Sequence, residues 1–246
     1  TSFGDLLLFG CLSVTDAQCA VSPPRQRDST AMVAAALEEL VDAFASAHTP
    51  NSAWASAEST ERRLSTARSL AAAMRAAPAA RILPLLPQLT ELLRPSLLDG
   101  RPGRSAVCFG ACSEVVAAAA SQLGDRSLPL VDTLLPLLVD QAGCTGAASA
   151  VGAHAHGAVC AILPHVPTHD ALPALLGALA LPVAPAAGRC RLAESVLLAL
   201  LTRADVAGAL RGRRAPALAA VLCNLLHDSH ATTRRLSRHA LLVLME

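Results

Sequence analysis

The stretch HDALPALLGALALPVAPAAGRCRLAESVLLALL, residues 169–201, decides the fold. It opens with an apolar segment, 169–181, rich in Ala and Leu, the strongest helix formers. The run Leu181-Pro182-Val183-Ala184-Pro185 then breaks it, since proline lacks the amide hydrogen that a helix interior needs. A second segment, 188–203, follows, with Arg189 and Arg191 near its start. Within it Leu192, Val196, Leu197, Leu200 and Leu201 recur at the period of one helix face. Two helices of this kind leave an apolar face uncovered, so neighbours must stack on them.

The same layout occurs five times. The expected pairs are 31–47 with 58–76, 81–94 with 105–123, 128–141 with 147–163, 169–181 with 188–203, and 213–227 with 231–245. The second helices start 47, 42, 41 and 43 residues apart, close to the roughly 40–47 residues of HEAT or armadillo units. Punctuation agrees. Asp99-Gly100-Arg101-Pro102-Gly103 reads as a loop, Gly124-Asp125-Arg126-Ser127 ends one helix and caps the next, and His227-Asp228-Ser229-His230 is a tight turn. Pro84 and Pro87 fall near the start of one helix, Pro129 and Pro136 within another. Residues 1–30 do not fit the array and read as an irregular lead-in or linker before a domain at 31–246. The fold class is all-α, an α-solenoid of about five HEAT-type helix pairs.

Composition supports this. Among 246 residues 53% are hydrophobic and 16% charged, with no Tyr, one Trp and four Phe. Ala and Leu must do the packing, where a sheet protein would show more β-branched and aromatic runs. Net charge is +1, so no overall field draws the chain to nucleic acid or a membrane surface. All 20 basic residues are Arg. Leu6-Leu7-Leu8-Phe9 is too short to span a bilayer, and no transmembrane helix is expected. The chain begins with Thr and is read as a piece of something longer.

Chemical motifs are sparse. The eight Cys (11, 19, 108, 112, 144, 160, 190 and 223) form no CxxC pair and read as buried thiols, which suits a reducing cytosol. His154 and His156 are two apart and would point to different helix faces; His165 and His169 straddle Pro167; His227, His230 and His239 flank the last turn. No metal site is expected from them. There is no GxSxG, HExxH, Walker or GxGxxG sequence. The Gly100–Gly103 loop lacks the Lys and preceding strand of a nucleotide site, and Glu38-Glu39 reads as a solvated helix surface. The chain is therefore expected to be non-enzymatic, with no cofactor and no small-molecule substrate.

Several segments resemble TOG domains of the CLASP family of microtubule-associated proteins. They are Ser121-Gln122-Leu123-Gly124-Asp125-Arg126 with Leu134-Leu135-Pro136-Leu137-Leu138, Ile162-Leu163-Pro164-His165-Val166-Pro167, and Gly188-Arg189-Cys190-Arg191 with Val196-Leu197-Leu198. Leu226-His227-Asp228-Ser229-His230 with Arg234-Arg235 and Arg238 is similar to the family's last turn and helix, and Trp54 stands where TOG domains place a tryptophan. The resemblance covers about residues 32–246, and the crescerin-type ciliary TOG proteins are close relatives. It implies a flat paddle whose intra-repeat turns line one edge and bind αβ-tubulin or the microtubule lattice. It further implies a cytoplasmic, cytoskeletal or axonemal location. Carried over residue by residue, the tubulin-binding set is Trp54 in the first turn, Arg101, Arg104 and Ser105 in the second, Arg189 and Arg191 in the fourth, and Arg234 and Arg235 in the fifth. The third turn, Ala142 to Ala150, has no basic residue. Independently, Arg at helix N-termini opposes the helix dipole, which favours anions there. Either an acidic partner or a local carboxylate, Asp99, Asp228 or Glu194, is expected to balance these cations.

Overall fold

The computed structural model describes residues 26–48, 57–98, 106–144, 150–180, 185–202 and 205–245. Among them there is no strand. The helices are α1 (Gln26–His48), α2 (Ala57–Ala76), α3 (Ala79–Ile82), α4 (Leu86–Leu98), α5 (Ala106–Leu123), α6 (Leu128–Cys144), α7 (Ala150–Ile162), α8 (Thr168–Leu179), α9 (Ala186–Thr202), α10 (Val206–Ala209), α11 (Arg214–Leu225) and α12 (Ala231–Met245).

The packing is that of a two-layer solenoid. One layer is built from the second helix of each pair, α2 on α5, α5 on α7, α7 on α9 and α9 on α12. The other is built from the first helices, α1 beside α4, α4 on α6, α6 on α8 and α8 beside α11. Each pair closes across the layers, α1 with α2, α4 with α5, α6 with α7, α8 with α9 and α11 with α12. A single continuous core runs between them, from Phe44 and Leu70 through Val115, Leu134 and Leu172 to Leu218 and Ala240.

Small residues set the spacing. In α5, Ala118, Ala119 and Ala120 are all buried. At Gly188 a Cβ would lie 1.9 Å from the Gly143 carbonyl oxygen, so the start of α9 rests directly on the backbone of α6. The stretch Ala106–Gly143 is long and apolar enough to cross a membrane by composition, yet two thirds of its 18-residue apolar window is buried inside the array. It is the core pair α5 and α6, turned at Gly124, whose φ of 54° is the left-handed conformation that ends helices.

Two expectations need correction. Helix α1 begins at Gln26, inside the segment read as irregular; residues 1–25 lie outside the described residues. The helix expected at 81–94 is split into α3, a 3₁₀ turn at Leu83–Leu85 and α4, because Pro84 and Pro87 withhold amide hydrogens. The four-residue α10 is too short to leave a periodic signal. The loop expected at 99–103 lies outside the described residues, as do residues 181–184 of the break expected at 181–185.

Candidate functional site: the edge of intra-repeat turns

The ends of the first helices and the starts of the second helices meet along one edge of the array. Its best-defined part is the turn 226–230, between α11 and α12, together with the start of α9. Leu225, Leu222 and Leu218 anchor α11 in the core, and Thr233, Ser237 and Ala240 bury the inner face of α12. The chain between them reverses around Asp228.

Asp228 is the organiser of this turn. Its side chain is only 3% exposed and pairs through Oδ2 with Nε of Arg189 from the preceding repeat. Its Oδ1 accepts a hydrogen bond from the amide of His230 at 2.8 Å. Burial pushes the carboxyl upward, but the Arg189 hydrogen bond, the His230 amide and the nearby positive charges outweigh it and hold it below the usual aspartate value. Arg234 donates to the carbonyls of Asp228 and Ser229, at 2.7 and 3.0 Å, locking the turn from above.

The sequence-derived residues therefore divide. Arg189 and Arg234 are brought together on one turn, and both guanidiniums are engaged within the protein. Arg191 faces back toward α6, donating to the Ala142 carbonyl at 3.4 Å. Arg235 is exposed and makes no ion pair among the described residues; Arg238, one turn further, is also exposed. Trp54, Arg101, Arg104 and Ser105 lie outside the described residues, as does most of the third turn. At the first pair the structure adds a residue not singled out in the sequence. Arg63 on α2 is buried and donates to the Ser59 carbonyl at 3.2 Å and to Thr60 Oγ1 at 3.2 Å.

Behind the edge lies a row of thiols and imidazoles. Cys112 Sγ stands 3.6 Å from His48 Nε2, and Cys160 Sγ stands 3.3 Å from His156 Nε2. Glu194 approaches the same His156 nitrogen at 3.7 Å. Because thiol and carboxylate converge on one nitrogen, the imidazole does not relay a proton between them. Burial pushes the Cys160 thiol up to about 11, against the opposing effect of its hydrogen bond with Ser195, so it stays protonated at neutral pH. Burial lowers His156, against the raising effect of Glu194. Among the described residues no group of three or more His, Cys, Asp or Glu is placed to hold a metal ion. The expectation of buried thiols holds for Cys108 and Cys112; Cys160 and Cys190 are half-buried and Cys223 is exposed. The side chains of Cys11, Cys19 and Cys144 lie outside the described residues.

No protein-family model matches the chain, and no curated protein matches it. Among solved structures, the crystal structure of an engineered protein aligns with 85% of this chain and 96% of that chain. The two are 18% identical, with a TM-score of 0.43. The all-α solenoid assignment rests on the packing of the helices themselves.

Proposed function

We propose that this chain is a non-enzymatic protein-binding module that engages an acidic protein surface along its edge of intra-repeat turns. The partner that the CLASP-like resemblance implies is αβ-tubulin or the microtubule lattice. The observation that carries the reading is the fifth turn. Asp228, Arg189 and Arg234 spend their charges fixing its backbone, and the rigid turn presents exposed Arg235 and Arg238 beside exposed His227 and His230. A turn ordered before binding loses little entropy on contact. Cations on its rim steer association with an acidic surface and make it salt-sensitive. The residues resembling TOG contacts thus take two roles: Arg189 and Arg234 position the turn, and Arg235 meets the partner.

A second reading is a scaffold that uses its helix faces, and the internal neutralisation of Arg189 favours it. Co-sedimentation with microtubules and size exclusion with αβ-tubulin separate the two. Wild type is expected to bind at low salt, with Arg235→Glu and Trp54→Glu each weakening binding about tenfold or more, about 1.4 kcal/mol. Absence of wild-type binding at low salt overturns the tubulin reading.

A further inference from the structure

The two ends of the array carry opposite charge. Its last pair is α11 and α12, with α12 packed on α9 and α11. Only two carboxylates fall within residues 205–245, Asp205 and Asp228, and both are engaged inside the protein. Asp205 accepts from the amide and hydroxyl of Thr168, both at 2.9 Å, and Asp228 pairs with Arg189. The exposed charges of this end are therefore cationic: Arg211, Arg213, Arg214, Arg235 and Arg238. On α12 the exposed stripe begins with Arg235 and Arg238 and ends with Leu242 and Met245, which are 54% and 84% exposed.

The first pair shows the converse. Helix α1 exposes Glu38, Glu39 and Asp42, and residues 36–48 contain no arginine. Helix α2 exposes Glu58 and Glu61 near its start and Ala72 and Ala76 near its end. It also exposes three arginines. Arg62 lies one helical turn after Glu58, a spacing that favours pairing, and Arg75 pairs with Glu114 at 3.9 Å. The third is Arg68.

We propose that a second copy of this chain docks its first pair on the last pair of the first copy, continuing the array with α1 on α11 and α2 on α12. The register is the one by which the array already stacks its own pairs. Arg235 stands four residues past the start of α12, and Glu61 four past the start of α2. Leu242 and Arg68 both stand eleven residues in, where the arginine methylenes lie along the leucine. Met245 stands fourteen in and Ala72 fifteen, which sets the apolar end of α12 over the alanines of α2. Counted back from the turn edge, Arg214 lies eleven residues before the end of α11, and Glu38 and Glu39 lie ten and nine before the end of α1. At about 1.5 Å per residue these opposed charges come within about 3 Å of the same height. They attract across the join, whereas two last pairs brought together would set arginine against arginine. A contact between unlike ends leaves one end free on each copy, so assembly extends beyond two. It also covers the exposed stripe of α12, so a docked copy and a partner seated on Arg235 exclude each other.

Sedimentation velocity of the full chain, with a monomer mass of 25.2 kDa, tests this. At about 50 mM salt the weight-average sedimentation coefficient is expected to rise with concentration past the dimer value. At about 0.5 M salt it is expected to fall back to that of the monomer. The variants Arg213→Glu/Arg214→Glu and Glu38→Arg/Glu39→Arg each reverse the charge of one end at exposed positions. Each alone is expected to stay monomeric at low salt. An equimolar mixture of the two is expected to associate, because unlike ends again carry opposite charge. Arg235 is unchanged in both variants and no tubulin is present, so the outcome is separate from that of the proposed function. Wild type that stays monomeric at low salt, assembly that stops at two copies, a variant that associates as wild type does, or a mixture that stays monomeric would each overturn the proposal.

Discussion

At the scale of single residues, Asp228 bears on stability and on the proposed binding edge. It is nearly sealed from water and receives two donors, while Arg189 keeps some contact with solvent. Removing the carboxylate with Asp228→Ala is expected to cost about 2 kcal/mol at neutral pH, because Arg189 and the His230 amide lose their acceptor. The pH dependence has a definite sign. The folded carboxyl titrates below its unfolded value of about 3.9, so its contribution is complete above that value. It fades as pH falls through the lower folded value. Urea denaturation of wild type and Asp228→Ala is expected to show the gap closing as pH drops below about 4. A gap unchanged by pH would mean that the side chain acts by packing alone. The sequence marks Asp228 as a turn residue and as one of three candidate partners for the arginines. It does not say which arginine it takes, because Arg189 lies 39 residues away in another repeat.

At the scale of helices, close approach decides which substitutions the array tolerates. Gly188→Ala puts a methyl group into the Gly143 carbonyl of α6. Overpacking against backbone is expected to cost about 3 kcal/mol and to lower Tm by roughly 10 °C. In α7 the same change at Gly157 meets nothing within 4 Å and is expected to stabilise by about 0.5 kcal/mol through helix propensity. Thermal unfolding followed by circular dichroism checks both signs. Similar costs for the two variants would refute the close contact between α6 and α9. Element positions were largely legible in the sequence: second helices expected at 58, 105, 147, 188 and 231 begin at 57, 106, 150, 186 and 231. Long Ala- and Leu-rich runs report their own period. The breaks inside 79–98 and the helix at 206–209 depend on proline geometry and a long-range contact to α8, which local pattern does not encode.

At the scale of the whole molecule, the two layers leave an edge of intra-repeat turns, and its last turn, held by Asp228, Arg189 and Arg234, exposes Arg235 and Arg238. The proposed binding of an acidic surface uses this edge. Weak sites of this kind gain strength when several are tethered. The most direct test of the central claim is hydrogen–deuterium exchange of the chain with and without saturating αβ-tubulin. Protection concentrated in 226–238 and at the other intra-repeat turns is the predicted result. Protection confined to the exposed faces of α4, α6 and α8, with the turns unchanged, would contradict the account.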